Sequence, residues 1–296
     1  MRHGVVFPTT SIGTDVGALR DFIQGVEALN FHHIVAYDHI LGATHEGRTP
    51  LLTGPYDQYD DFHEPLVFFS WVAAMTRRIH LFPAVIVAPQ RQTALLAKQV
   101  CELQNLSEGR LRLGIGVGWN WVEYEALNAD FQNRGKIIEE QVKVMRRLWS
   151  EELVAFRGEF HTIDRAGISP RPNTAIPIWF GGYTAAAIKR SVNLDAGHIF
   201  GHLNEDILAL AAQLQYLSSA HARAVGAVQS EAIFDYSKSR ELWSTWVVKW
   251  QQVGGTDLAI RTMATKNVES SGCVTVDDHL AAFSVWRDHL ISEGLW

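Results

Sequence analysis

Residues 106–119, LSEGRLRLGIGVGW, decide how this chain is read: they close an apolar helix and open a strand with glycine at 114, 116 and 118. Alternate residues of a strand share a face, so these glycines leave one face without side chains, and something must fill it. Two readings stand side by side: close packing of another part of the chain, or a strand tip that presents bare backbone to a planar ligand. A dinucleotide phosphate loop needs a further glycine where Trp119 stands, so a Rossmann fold is poorly supported.

Outward from this strand, runs rich in β-branched and aromatic residues alternate with segments of helical period. Eight strands are expected at 4–7, 33–37, 79–87, 110–117, 177–181, 197–201, 231–236 and 256–262. Helices are expected at 15–29, 65–75, 93–106, 133–149, 184–192, 204–225, 239–253 and 276–291. Eight βα units predict an α/β fold, a (β/α)8 TIM barrel, and no linker divides the chain, so 1–296 is read as one domain. Two insertions, 40–63 after the second strand and 151–175 after the fourth, exceed ordinary connections. The first carries Tyr56, Tyr59, Glu46, Asp57, Asp60 and Asp61 and is either a lid over the site or a mobile surface loop.

The formal net charge is -6 without a dense Lys/Arg block, which argues against nucleic acid and anionic membranes as partners. A small-molecule substrate is expected. Cys101 and Cys273 form neither a disulfide framework nor a zinc spacing, and no metal is expected. No apolar run approaches the roughly 18 residues of a membrane helix, and the first residues are too short an apolar run for a signal peptide, so a cytoplasmic location is expected. Trp243, Trp246 and Trp250 share one helical face, which suits either the core or a homodimer.

Barrels place working residues at the carboxyl ends of their strands. The second strand, IVAYDHI, puts Asp38 and His39 there; adjacent strand residues point to opposite sides, so one of the two is either a proton-exchange group or a structural one. The fifth ends PIWFGGYT, where Gly181 and Gly182 clear space, Thr184 can cap a helix, and backbone N–H groups at the helix start suit an anion. A tight βα turn explains that segment equally well. The third, IHLFPAVIVAP, carries Pro83 and Pro89, a sign of a bulge or an end.

Together these segments resemble the bacterial luciferase-like flavin and deazaflavin oxidoreductases. The match runs in order over the first two thirds of the chain, through EALNFHHIVAYDHI, IHLFPAVIVAPQRQTALLAKQ, LSEGRLRLGIGVGWNWVEYEALN, RGKIIEEQVKVMRRLW and PIWFGGYT. It is nearest to the actinobacterial branch that uses coenzyme F420, a 5-deazaflavin. The resemblance implies a barrel whose third strand carries a bulge, often with a non-proline cis peptide, behind the deazaflavin ring, here within Ala84, Val85 and Ile86. It further implies cofactor contacts at Gly118, Trp119 and Asn120 and at Gly181, Gly182, Tyr183 and Thr184, with His39 and Asp38 beside the ring and His39 as the proton partner. Trp119, Trp121 and Trp179 are candidate pocket walls, and His198 either lines the pocket or fills it.

The chain departs from the family's sugar-phosphate dehydrogenases: Ala43 stands for an aromatic residue and Trp119 for a glutamate, so neither a sugar phosphate nor that acid is expected. The function implied is hydride transfer between F420 and a small, mainly apolar substrate, with reduction favoured. An FMN-dependent two-component monooxygenase is the alternative, and a non-catalytic flavin- or F420-binding protein the second.

Overall fold

The computed structural model describes residues 1–220, 228–266 and 268–296. Its strands are β1 (Arg2–Val6), β2 (His33–Ala36), β3 (His80–Pro83), β4 (Ile86–Val87), β5 (Leu113–Gly116), β6 (Val154–Arg157), β7 (Thr162–Ala166), β8 (Ile178–Gly181), β9 (Gly197–Phe200), β10 (Ser230–Asp235) and β11 (Asp257–Arg261). The helices are α1 (Thr9–Ile12), α2 (Val16–Ala28), α3 (Pro65–Met75), α4 (Thr93–Leu106), α5 (Trp121–Ala126), α6 (Arg134–Ser150), α7 (Ala185–Asn193), α8 (Glu205–Ala220), α9 (Trp243–Gln252) and α10 (Val276–Ser292).

Nine strands join in the order β3-β2-β1-β11-β10-β9-β8-β5-β4, all parallel. The two end strands are halves of one expected strand, parted at Ala84–Val85, whose peptide bond is cis. Below this step, Leu81 bridges to Leu111, with Leu81 N–H donating to Arg110 O at 3.0 Å and Arg112 N–H to Leu81 O at 2.9 Å. The sheet thus closes on itself into a (β/α)8 barrel.

Strand alternation separates two apolar layers. Ile34, Leu81, Ile86, Ile115, Phe180 and Phe234 face the helices, whereas Val6, Val35, Phe82, Trp179, Ile199, Ile233 and Ala259 fill the barrel. The bare face of β5 is filled by the chain itself. A Cβ on Gly114 would lie 2.5 Å from Pro83 O, one on Gly116 would lie 2.5 Å from Val85, and one on Gly118 would lie 2.7 Å from Val87. At Gly114 and Gly116 the packing reading therefore replaces that of backbone laid open to a ligand.

The helices start where the sequence offers caps: Asp15, Glu64 and Thr184 accept N–H bonds in the first turns of α2, α3 and α7, and Thr275 forms a capping box with Asp278 on α10. The second insertion folds as the antiparallel pair β6–β7 and lies on the outside of α4 and α6, through Lys98 to Ser169 O, Gln104 to Ala175 O and Glu140 to His161. The 221–225 part of the expected 204–225 helix lies outside the described residues. Trp243 and Trp250 are buried in the chain's own core. None of the described helices is long and apolar enough to cross a membrane.

Candidate active site

Just past β2, the chain turns Asp38 and His39 apart. Asp38 is buried and holds the barrel's split strand: Oδ2 accepts from Val87 N–H at 2.9 Å and Oδ1 from Arg91 at 2.8 Å. Burial pushes its carboxyl up against the opposing pull of Arg91. Asp38 is therefore no partner of His39; of the two roles open to it, orienting the imidazole or fixing neighbouring backbone, the structure selects the backbone.

The carboxylate beside His39 comes instead from α5. Glu123 Oε1 lies 3.3 Å from His39 Nδ1 and accepts the N–H groups of Ile40 at 2.9 Å and Leu41 at 3.0 Å, while Oε2 faces Gln90 at 3.4 Å. Burial alone would raise its pKa, but His39, the Leu41 N–H and Gln90 outweigh it and hold the carboxyl below the usual range. An ionised carboxylate only accepts, so His39 Nδ1 carries the proton and donates. Nε2 has no protein partner among the described residues. Glu123 was not legible as a site residue: Asn120 and Glu123 have capping-box spacing, which reads as a purely local arrangement. Asn120 does cap α5, accepting from Val122 and Glu123 N–H, but Glu123 turns away across the barrel mouth.

The first insertion lies over this pair. Ala43, Leu52 and Tyr56 of 40–63 are buried; Tyr56, Phe62 and Trp119 ring His39 at centroid distances of 5.4, 4.8 and 5.5 Å. A Cβ on Gly54 would sit 2.3 Å from the Trp119 ring, so only glycine lets the lid lie flat on that indole. Thr9 to Asp61 O, His63 to Gly13 O and Lys266 to Asp57 tie the lid to the barrel.

At the end of β11, one strand from β2, Arg261 is buried and paired with Asp235 at 2.6 Å, and its Nη1 donates to the Tyr37 hydroxyl at 3.3 Å.

Two features fit a planar cofactor with a phosphate tail. Val85 projects between Gly116 of β5 and Gly181 of β8, where Cβ atoms would come within 2.5 and 2.7 Å of it, making a narrow apolar seat. Beyond it, Gly182 takes φ +142°, and Thr184 caps α7 through Ala187 N–H at 3.2 Å, with 183–186 exposed. A capped helix start with solvent-facing N–H groups suits an anion.

The remaining expected cofactor residues are dispersed. Ile86 is fully buried on the helix-facing layer and Ala84 is buried in the barrel, so of the three bulge residues Val85 alone is partly exposed. Gly118 packs on Val87, and Asn120 is committed to capping α5 and to Leu41 O at 3.4 Å. Tyr183 turns from the phosphate loop, its hydroxyl meeting His202 Nδ1 at 3.2 Å. His198 fills rather than lines: it is buried between Ser191 Oγ at 2.8 Å and Gly182 O at 2.9 Å, and burial lowers its pKa to about 4. Trp179 lies in the barrel core, edge-on to Phe82 and under the Arg112 guanidinium, and is no pocket wall.

Among the described residues one group of donors, His32, His33 and Asp257, is close enough for a metal, but it lies at the other end of the barrel and Asp257 is taken by Arg2 and Arg112.

A family model described as luciferase-like monooxygenase matches residues 1–230. The chain belongs to the luciferase-like monooxygenase family. Within it, an uncharacterized protein of Mycobacterium tuberculosis is 36% identical over 135 residues, 45% of this chain and 46% of that protein. The F420-dependent glucose-6-phosphate dehydrogenase of Kineococcus radiotolerans is 33% identical over 150 residues, 47% of this chain and 43% of that one. An FMNH2-dependent dimethylsulfone monooxygenase of Pseudomonas fluorescens is 30% identical over 128 residues, 42% of this chain and 35% of that one. The chain thus spans about half the length, or less, of the curated relatives it matches. Among solved structures, the monooxygenase RslO1 of Streptomyces bottropensis superposes with a TM-score of 0.77 at 17% identity, over 99% of this chain and 100% of that one. The coenzyme F420-dependent tetrahydromethanopterin reductase of Methanopyrus kandleri does so at 0.71 and 12%, over 99% of each chain. These two likenesses establish the barrel. Luciferase-like proteins thus include F420-dependent and FMNH2-dependent members, and this chain resembles both.

Proposed function

We propose that this chain transfers a hydride between coenzyme F420 and a small, neutral, mainly apolar organic substrate, acting as a reductase. The observation that carries this reading is the His39–Glu123 pair: an imidazole held at Nδ1 by a buried carboxylate, with Nε2 left for exchange, under an aromatic lid at the barrel mouth. Val85 and the 181–184 loop would hold the ring and the phosphate tail, and F420, when bound, supplies or accepts the hydride at its C5. The residues supply orientation, a water-poor mouth and the proton. Glu123 serves His39 in both of its states, as acceptor for neutral imidazole and as counter-ion for imidazolium, so a proton can leave or reach Nε2 without the ring turning.

The FMNH2-dependent relative supports a second reading, a two-component monooxygenase using the same seat. Parallel titrations of the protein with F420 and with FMN, read by tryptophan fluorescence, separate them. Micromolar binding of F420 with weak binding of FMN is expected; preference for FMN selects the monooxygenase, and binding of neither makes 181–184 a structural turn. His39→Ala is expected to abolish turnover and spare F420 affinity; unchanged turnover removes His39 from the chemistry.

A further inference from the structure

The amino-terminal floor of the barrel gathers donors that the site at its mouth does not use. Ligand atoms of His32, His33 and Asp257 all lie within 4.8 Å of one another, and the Nδ1 atoms of the two imidazoles are 3.2 Å apart. Two nitrogens bound to one tetrahedral ion at about 2.0–2.1 Å stand roughly 3.3–3.4 Å from each other, so the pair already has the spacing of a shared metal.

Several strands build this arrangement. His33 opens β2, and its ring lies over Gly4 of β1, where a Cβ would collide with the imidazole. Its Nε2 thereby meets Glu231 Oε1 of β10 at 2.6 Å. A carboxylate on one ring nitrogen is what orients a metal-binding histidine and leaves its other nitrogen for the ion. Glu231 is fully buried, and its Oε2 has no hydrogen-bond partner. The backbone of His32 is fixed on both sides, N–H donating to His3 O at 2.7 Å and the carbonyl accepting from His80 N–H at 2.9 Å. Asp257 opens β11; its Oδ1 accepts from Arg112 at 2.9 Å and its Oδ2 from Arg2 and Thr256, each at 2.7 Å. These are three bonds for about four lone-pair positions, so Oδ1 keeps one for a further partner.

We propose that His32, His33 and Asp257 form a binding site for a divalent transition metal of the zinc class. Two nitrogens and one oxygen suit such an ion, whereas Mg2+ and Ca2+ take oxygen donors. The neighbouring Arg2 and Arg112 oppose a cation held by charge alone, so binding depends on the imidazoles. The ion replaces the proton between the two Nδ1 atoms and joins β2 to β11, the strands on either side of β1. His32 is only half-buried and gives the ion its way in.

The test uses Zn2+ alone, titrated into the full chain by calorimetry. One ion per chain is expected, at micromolar affinity or tighter. Loss of an outer-shell partner alone costs about 10- to 100-fold in metal affinity, so His32→Ala, which removes a ligand, is expected to weaken binding at least about 100-fold. Saturating Zn2+ is expected to raise the melting temperature of the wild type by several degrees and to leave that of His32→Ala unchanged, because an ion held only by the folded chain stabilises it. Co2+ gives a readout that needs no variant: the strong visible absorption of a tetrahedral site is expected in place of the pale spectrum of the hydrated ion. Absence of saturable Zn2+ binding, equal affinity in His32→Ala, or a hydrated-ion spectrum for Co2+ with the protein overturns the proposal. None of these outcomes bears on the F420 titration, which reads the opposite end of the barrel.

Discussion

At the scale of single residues, the mouth of this barrel turns on which carboxylate reaches His39. Asp38 is its neighbour in sequence and Glu123 its neighbour in space. Both follow the end of β2, and there the chain sends them apart: Asp38 accepts from Val87 and Arg91 inside the wall, and His39 meets Glu123. Glu123 gathers His39, Ile40 and Leu41 from the rim, and hydrogen bonds to a charged group are worth about 1.5–3 kcal/mol each when buried. Glu123→Gln keeps the shape and removes the charge. It is expected to lower unfolding stability by about 1–3 kcal/mol in urea and to reduce turnover more than F420 affinity. Equal stability would mean that the carboxylate is replaceable by any acceptor.

At the scale of elements, the two glycine segments differ in kind although both looked alike as sequence. In β5 the missing side chains make room for Pro83, Val85 and Phe82, so that segment serves packing. In the β8–α7 turn, Gly182 holds φ +142°, its carbonyl is fixed by His198, and a Cβ would stand 2.9 Å from that of Ala187. Gly182→Ala is expected to cost about 1–3 kcal/mol, a drop of several degrees in melting temperature, and to weaken F420 binding at least tenfold. An unchanged melt with normal binding would show that the turn tolerates a side chain there. The cap at Thr184, the helix starting near Asp15 and the long insertion at 40–63 were legible from composition and spacing. The destination of the 151–175 insertion was not, because a length of chain says nothing of the surface on which it packs.

At the scale of the whole molecule, closure of the barrel buries an unusual load of imidazole and charge in its amino-terminal half. His33 meets Glu231 at 2.6 Å, Arg112 meets Asp257 at 2.9 Å, and Arg112 lies over the rings of Phe82 and Trp179. Desolvation lowers His32 to about 3 and His3, His198 and His279 to about 4. These histidines stay neutral in the folded state while the unfolded chain binds protons below about pH 6.5, so stability is full above that pH and falls steadily toward pH 4. For the fully enclosed His198 alone, the loss between pH 7 and pH 5 is about 2 kcal/mol. Urea unfolding at those two pH values is expected to show at least that difference; a flat profile would mean that the buried imidazoles take up protons without unfolding.

Alternating strand and helix patterns, the rim position of His39 and the glycine turn before α7 were set by residues close in sequence, because backbone period, caps and turns are local physics. The partner of His39, the filling of the β5 glycines and the inward Arg261–Asp235 pair were decided by the closed barrel. Each depends on segments tens to hundreds of residues apart meeting across one axis, and burial there determines which polar groups must find partners and which remain for a ligand.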